Sequence, residues 1–212
     1  HPSAKVILAD VRRLDPADVL ALLDDRRIDV FAAGVPCQGF SISNRKRSDM
    51  DKRNFLFHEF VRFVRYAKPR AVVLENVSTL ESAANGSFYS AIKSAIAECA
   101  AYDVYARVLN AADYGVPQFR RRLFVVGVPR GAPFAWPEPT HGYSPGLSRY
   151  VTVWEAIGDL PPLGAGETAT EYRCGPQTEY QALMRGSVTL LTNHVAPNHT
   201  QATIEMIERT PP

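Results

Sequence analysis

A cysteine in a turn behind an apolar strand is the most reactive feature of this sequence. Residues 29–33 are an apolar run, after which Gly34 and Pro36 lead the chain to Cys37. Open α/β sheets keep their reactive groups at the carboxyl ends of strands. A thiol placed there can, once ionised, act as a nucleophile towards a carbon atom of a substrate. The alternative is that Cys37 is a small buried hydrophobic residue.

A basic segment follows the cysteine. Residues 44–53 contain five cationic and two acidic side chains, and residues 120–122 are three consecutive arginines. The net charge of the whole chain is only +2, so contact with a phosphate-bearing partner has to depend on such local clusters. The alternative for both clusters is a solvated surface loop. We expect residues 44–53 to be open or disordered in the absence of a nucleic-acid partner.

Three further sets of polar residues lie at the ends of predicted strands. Asp10 ends the apolar run 5–10, which predicts a buried strand. Glu75 follows the predicted strand 71–74 and should lie at the same sheet edge as Cys37. A loop between two more predicted strands, 103–109 and 123–128, is long, and such loops in compact domains are usually functional. Its candidates are Gln118, Arg120 and Arg122.

Helical patterns separate these strands. Asp15 followed by Pro16 predicts the start of a first helix. Apolar residues recur with helical spacing over 56–67 and over 88–99, and the second pattern makes Cys99 a core residue. The first helix and its two flanking strands predict one βαβ unit, and the next helix predicts a second. Strands that alternate with helices in this way indicate an α/β fold.

The composition is that of an ordinary soluble domain. The 212 residues are 46% hydrophobic and 22% charged, which is enough for one substantial core. Three widely spaced cysteines without a Cys-x-x-Cys pair argue against a disulfide framework or a zinc site and fit a reducing compartment. The histidines show no metal-ligand spacing, so we expect no metal. No apolar run approaches the roughly 18 residues that span a bilayer.

In their order, the strand-end motifs resemble those of the cytosine-5 DNA methyltransferases, bacterial members in particular. They are carried by Gly34–Ser43, Glu75–Val77 and Gln118–Arg122. Other similar stretches are Asn110–Gln118, Pro139–Gly142, Thr152–Leu163 and Asn193-His194. The resemblance implies a Rossmann-like, S-adenosylmethionine-dependent methyltransferase fold with a mostly parallel, doubly wound sheet that is incomplete at both ends. It also implies a partial catalytic core at residues 1–130, followed by a Pro/Gly-rich covering segment and linker at residues 131–212.

The same resemblance implies the chemistry. Carbon 5 of cytosine is too weak a nucleophile to take a methyl group until a thiolate has added to carbon 6, which is the role implied for Cys37. Glu75 is expected to stabilise the resulting enamine by donating to ring nitrogen 3. Arg122 is expected to hold the cytosine carbonyl and Arg120 to order the catalytic groups. DNA contacts are implied for Gln38, Ser41, Arg45, Lys46, Arg47 and Gln118.

S-adenosylmethionine is the implied methyl donor. Asp10 is expected to bind its adenine amino group, in a pocket lined by Val11, Gly34, Pro36 and Leu56. The family's glycine-rich first motif, its ribose-binding acid, its late asparagine-containing motif and its target-recognition domain are absent from the sequence. Because the sequence also lacks an initiator methionine, we expect further residues of a longer protein, or a second chain, to supply them. The implied partner is duplex DNA with a flipped cytosine, in the bacterial cytoplasm at the nucleoid.

Two alternatives stay open beside restriction–modification or epigenetic marking of DNA. The related methyltransferases of transfer RNA usually carry an additional Cys-Phe-Thr element, whereas Cys174 is followed by Gly175 and Pro176, which favours DNA. A subunit or scaffold of a split methyltransferase, without catalysis of its own, is the other. A thiol hydrolase is disfavoured because no histidine lies at a strand end to act as a base for Cys37.

Overall fold

The structure is a computed structural model that describes residues 4–23, 27–35, 56–82, 86–99 and 101–210. The chain forms two compact units. Unit 1 comprises His1–Ala111 and Arg120–Glu138, and unit 2 comprises Ala112–Phe119 and Pro139–Pro212. The predicted division at residue 130 into a catalytic core and a covering segment stays a prediction.

Unit 1 is built on a four-stranded sheet. Its strands are β1 (Val30–Gly34), β2 (Ala71–Val77), β3 (Tyr102–Asn110) and β4 (Arg121–Pro129). Their order across the sheet is β1-β2-β4-β3. Strand β2 is paired on both edges, and its alternate residues Val72, Leu74 and Asn76 are buried. Strand β2 is therefore the element that fixes its neighbours.

The pairings make this a mixed sheet. Strands β1 and β2 are parallel, whereas β4 runs antiparallel to both β2 and β3. The parallel arrangement expected for most of the sheet is found between β1 and β2, where a helix connects the strands, because a crossover returns the chain in the same direction. Strands β3 and β4 are instead joined by the loop after Asn110, and this connection makes them antiparallel. The predicted α/β class is confirmed.

Three helices of unit 1 flank the strands: α1 (Pro16–Ala21), α2 (Phe57–Ala67) and α3 (Ser87–Cys99). Helix α1 begins as predicted, since the Asp15 side chain accepts a hydrogen bond from the Ala17 backbone at 2.8 Å. Helix α2 ends at Lys68, whose φ of 45° is left-handed, because the residue before Pro69 avoids the helical conformation. The core residues of α2 and α3 are Phe57, Phe60, Val61, Val64, Ile92, Ile96 and Cys99.

The predicted buried strand at residues 5–10 is wrong. In the described part of the chain these residues pair with no strand, and the side chains of Val6 and Leu8 are fully exposed or nearly so, at 88% and 102%. The first predicted βαβ unit therefore lacks its first strand. A strand is stabilised by a neighbour about 4.8 Å away, and apolar composition alone cannot reveal whether that neighbour exists.

Unit 2 has little regular structure. Its helices among the described residues are α4 (Val153–Ile157), α5 (Glu179–Arg185) and α6 (Gln201–Glu208). The predicted helix at 153–157 is confirmed, and Thr152 and Glu155 cap it reciprocally. Helix α5 was not predicted, because the residue that it buries is the polar Gln181 rather than an apolar one.

A buried polar network ties α5 to the segment after α4. Asp159 is 3% exposed and lies 3.5 Å from the guanidinium of Arg185. The guanidinium also stacks on the ring of Tyr172, at 3.5 Å from the ring centroid, and donates to the carbonyl of Cys174 at 2.8 Å. In this part of unit 2, buried polar contacts hold the elements together, whereas in unit 1 apolar packing does so.

No helix in the described ranges is long and apolar enough to cross a membrane.

Replacement of Gly127 by alanine should destabilise unit 1. A Cβ at this position of β4 would lie 2.6 Å from a methyl carbon of Val72 and 3.1 Å from one of Ile96, and both neighbours are fully buried. Overpacking of this kind costs about 1–3 kcal/mol. We expect a lower urea midpoint by circular dichroism. Gly175→Ala is the control, because no heavy atom lies within 4 Å of its added Cβ; equal midpoints for the two variants would contradict the packing.

Candidate active site

Glu75 and Arg122 form an ion pair on one face of the sheet of unit 1. Glu75 lies opposite Phe124 in the β2–β4 register, and Arg122, two residues from Phe124, shares that face. The Arg122 Nε lies 2.9 Å from Glu75 Oε1, and the two side chains are 25% and 35% exposed. The structure therefore brings two of the predicted catalytic residues together, with both side chains partly exposed.

Strand β1 ends beside this ion pair. Gly34 lies opposite Glu75 in the parallel register, and a Cβ on Gly34 would lie 3.5 Å from Glu75 Oε2. Val35 is the last described residue before Pro36 and Cys37. Those two residues, the predicted DNA contacts Gln38, Ser41, Arg45, Lys46 and Arg47, and the segment expected to be open lie outside the described residues.

The side chain of Asn76 links β2 to the end of β1. Asn76 is 4% exposed. Its Nδ2 donates to the carbonyl of Val35 at 3.1 Å, and its Oδ1 accepts from the backbone N–H of Val77 at 2.8 Å. No role is predicted for this residue from the sequence. The available signal was an asparagine inside a buried strand, because a buried amide has to be hydrogen-bonded.

Arg120 is held by its backbone. Its N–H donates to Asn110 Oδ1 at 3.0 Å, and its carbonyl accepts from the Ala111 N–H at 3.0 Å. Its side chain is exposed and, within the described ranges, forms no ion pair with Glu75. The structure thus fixes the backbone of Arg120 but leaves its guanidinium outside the Glu75–Arg122 pair.

Gln118 belongs to unit 2, where it lies exposed on a tightly anchored loop. The carbonyl of Asp113 accepts from the backbone N–H groups of Thr140 and His141, at 2.9 and 3.0 Å. The carboxylate of Asp113 accepts from the hydroxyl of Tyr150 at 3.0 Å, and this hydrogen bond raises the pKa of the tyrosine. The stretch 139–142 thus anchors the loop, a function that its resemblance to bacterial members did not indicate.

Gly115 allows this loop and His141 to approach closely. The φ of Gly115 is +86°, and a Cβ there would lie 2.8 Å from Cε1 of His141. Only glycine adopts this conformation readily, and only glycine leaves space for the imidazole ring. The ring is also held from its other side, by a 2.8 Å hydrogen bond between His141 Nδ1 and the Thr140 hydroxyl.

The carboxylate of Asp10 is paired with Arg12. The Arg12 Nε lies 2.9 and 3.1 Å from the two carboxylate oxygens, and the Arg12 backbone N–H donates to Oδ1 at 3.0 Å. These hydrogen bonds lower the pKa of Asp10 to about 2. Asp10 is therefore ionised at neutral pH and can accept from an amino group, but a ligand must share it with Arg12.

An apolar cavity of about 330 Å³ lies beside β1. Three of the predicted cofactor residues, Val11, Gly34 and Leu56, line it, and so do the aromatic rings of Phe31, Phe60 and Phe63. The one acidic residue in the lining, Glu59, lies 2.7 Å from the guanidinium of Arg62. The lining is therefore mainly apolar and aromatic, as in many small-molecule sites.

Cys99 is a core residue, as predicted, and is 8% exposed. Its thiol donates to the carbonyl of Ala95 at 2.9 Å, and burial raises its pKa. A thiol that resists ionisation is a poor nucleophile.

In the described ranges, no group of three or more His, Cys, Asp or Glu side chains could hold a metal ion.

Removal of the Arg12 side chain should raise the pKa of Asp10. In Arg12→Ala the side-chain hydrogen bonds to the carboxylate are lost while the backbone one remains, so the pKa of Asp10 should rise from about 2 part of the way towards the ordinary value of 3.8. A pH titration of the carboxyl carbon by NMR measures this shift. Arg13→Ala is the control, because Arg13 contributes only a weaker electrostatic effect. A pKa that remains near 2 without Arg12 would contradict the assignment.

The chain is similar in sequence to proteins of one known family. The family model for C-5 cytosine-specific DNA methylases matches residues 1–181. The Type II methyltransferase M.DdeI of Desulfomicrobium norvegicum is 39% identical over 97% of this chain and 50% of its own length. A Type II methyltransferase of Haemophilus parahaemolyticus is 35% identical over 96% of this chain and 48% of its own length.

A solved structure supports the fold. The crystal structure of a prophage-encoded DNA modification methyltransferase of E. coli matches with a TM-score of 0.63 at 23% identity, covering 93% of this chain and 55% of that chain. The predicted Rossmann-like methyltransferase fold is confirmed. The chain spans about half the length of the curated relatives it matches. Because the family model covers most of the residues, the chain belongs to the C-5 cytosine-specific DNA methylase family.

Proposed function

We propose that the protein transfers a methyl group from S-adenosylmethionine to carbon 5 of cytosine in duplex DNA. The observation that carries this proposal is the partly exposed Glu75–Arg122 ion pair beside the end of β1. From that strand end the chain continues through Val35 and Pro36 to Cys37. A nucleophile, a proton donor and a carbonyl ligand are the three groups that activation of cytosine requires.

The proposed reaction begins with the thiolate of Cys37, which forms a bond to carbon 6. The electron pair of the 5,6 double bond moves into the ring. Glu75, which takes up a proton from solvent when it releases Arg122, donates that proton to ring nitrogen 3. Arg122 exchanges the Glu75 carboxylate for the carbonyl oxygen of cytosine. When bound, S-adenosylmethionine supplies the methyl group to carbon 5, with S-adenosylhomocysteine as the leaving group. A base then removes the proton from carbon 5, the 5,6 double bond forms again, and the bond between sulfur and carbon 6 breaks to restore the thiolate. Ring nitrogen 3 returns its proton to Glu75.

The remaining predicted residues take supporting roles in this proposal. Arg120, whose backbone is fixed at the base of its loop, orders the catalytic groups. The adenine ring binds in the apolar cavity beside β1, with Asp10 as the acceptor for its amino group. The other residues of the cofactor pocket are Val11, Gly34, Pro36 and Leu56. The residues that contact the DNA are Gln38, Ser41, Arg45, Lys46, Arg47 and Gln118.

Parts of the proposed site lie outside this chain. Because the chain spans about half the length of its relatives, further residues or a second chain complete the cofactor site and recognise the target sequence. The exposed apolar side chains of Val6 and Leu8 favour such a partner, since apolar surface of this size is stabilised by burial. The protein acts on a cytosine flipped from the duplex, in restriction–modification or epigenetic marking of bacterial DNA at the nucleoid.

A covalent adduct tests the function. Fluorine at carbon 5 cannot leave as a proton, so the whole protein with methyl donor and fluorocytosine duplex DNA should form an adduct that survives denaturation. Cys37→Ser should abolish the adduct. Cys174→Ser is the control, because Cys174 is exposed and has no part in the proposal. An adduct that maps to Cys99 or Cys174, or that forms with transfer RNA but not with DNA, would contradict the proposed function.

Glu75→Gln tests the proton donor separately. The amide cannot supply a proton to ring nitrogen 3, so the rate constant for adduct formation should fall by about a hundredfold or more. The affinity for DNA should change little, because Glu75 acts on the reacting ring. Single-turnover kinetics and a DNA-binding titration separate the two effects. Equal losses in rate and in affinity would instead assign Glu75 to DNA binding.

A further inference from the structure

We propose that Asn76 is a positioning residue for this reaction, because its side-chain amide sets the point at which the end of β1 leaves β2 on the way to Cys37. The inference rests on the proposed function. It is carried by a hydrogen-bond pattern in unit 1 that none of the predicted catalytic roles explains.

The pattern departs from a regular parallel ladder. Asp29 accepts from the backbone N–H of Ala71 at 2.8 Å, and the β1–β2 register runs without a break from Val30 to Gly34. Bonds of a parallel pair recur every two residues along each strand. The same spacing would have the N–H of Val77 donate directly to the carbonyl of Val35.

The amide of Asn76 occupies the place of that bond. The N–H of Val77 donates to Asn76 Oδ1 at 2.8 Å, and Asn76 Nδ2 donates to the carbonyl of Val35 at 3.1 Å. Two hydrogen bonds through one amide replace a single backbone bond, so the two strands separate here by the width of that amide. The substitution requires a side chain that accepts and donates at the same time, as asparagine does.

The separation occurs beside the reacting groups. Asn76 is adjacent in sequence to Glu75, whose carboxylate pairs with Arg122, and Val35 precedes Cys37 by two residues. Pro36 has no N–H with which to continue the ladder. The direction in which β1 ends relative to Glu75 therefore depends on the carbonyl of Val35 and on the amide that holds it.

Asn76→Asp separates positioning from packing, because the two protonation states of the new carboxyl group differ in one hydrogen. A protonated carboxyl group accepts from Val77 and donates to Val35, as the amide does. An ionised one has no donor and places a negative charge against the carbonyl of Val35. Burial raises the pKa of such a group above the ordinary value of about 3.9.

The experiment uses the whole protein with methyl donor and fluorocytosine duplex DNA. Single-turnover rate constants for adduct formation are measured at a series of pH values, and each is corrected for the folded fraction by circular dichroism. At neutral pH the rate constant of Asn76→Asp should fall roughly ten- to a hundredfold, the range for a misplaced reacting group. The ratio of variant to wild type should rise towards one as the pH falls. The rate constant of each protein is also corrected for its own thiolate fraction of Cys37, taken from the pH dependence of its alkylation, because the new carboxylate can change the pKa of the thiol.

A matched control makes the same chemical change elsewhere. Asn198→Asp alters an exposed position of unit 2 and should leave the ratio at one throughout. A ratio near one for Asn76→Asp at neutral pH, or a loss that does not vary with pH, would overturn the inference. A loss that disappears after correction for the folded fraction would overturn it as well.

A separate readout distinguishes this inference from the proposed function. If the wild-type protein forms no adduct with any cytosine substrate, the proposed function fails. The alkylation rate of Cys37 by iodoacetamide, followed by peptide mass spectrometry, then tests the inference. A pH-dependent difference between Asn76→Asp and the wild type at Cys37 supports the positioning, and identical alkylation profiles refute it.

Discussion

The site of this protein depends on the hydrogen bonding of one strand on both of its edges. Strand β2 is parallel to β1 on one side and antiparallel to β4 on the other. Successive side chains of β2 point to opposite faces, so Glu75 lies on one face, while Val72, Leu74 and Asn76 lie on the other and are buried. Because the core fixes the buried set, the face on which Glu75 lies is determined by the strand and does not depend on its ion pair with Arg122. Adjacent residues of one strand thus supply a chemical group and the support for the neighbouring strand.

The ion pair of Glu75 and Arg122 contributes little to the stability of the fold. Partly exposed pairs contribute roughly 0–1 kcal/mol to stability, and this pair is 25% and 35% exposed. The backbone ladder between β2 and β4 already holds both residues in place. Either side chain can therefore exchange its partner for a ligand while the fold stays intact. Cys99, buried and hydrogen-bonded to Ala95, shows the opposite case of a reactive group that serves packing alone.

Local signals in the sequence predicted most of the elements. Asp15 with Pro16 marked the start of α1, and the apolar spacing at 56–67 marked α2, because caps and helical faces depend on nearby residues. The prediction of a strand at 5–10 was wrong, because a strand has to pair with a neighbouring strand, and apolar periodicity does not reveal whether one exists. The bond from Asn76 to Val35 joins residues 41 positions apart, and the helix α5 buries a polar residue. A search for apolar patterns can find neither this hydrogen bond nor this helix. The order of the motifs assigned Glu75 and Arg122 to one site, but their ion pair was not predicted, since no local pattern links β2 to β4.

The division into two units also divides the charge. Unit 1 contains 20 Lys and Arg residues against 14 Asp and Glu, whereas unit 2 contains 4 against 8. The net charge of +2 therefore conceals one cationic and one anionic body. A polyanion is attracted by the first and repelled by the second, which favours encounters through one unit over the other. Added salt weakens both forces, so ionic strength changes the direction of approach as well as its rate.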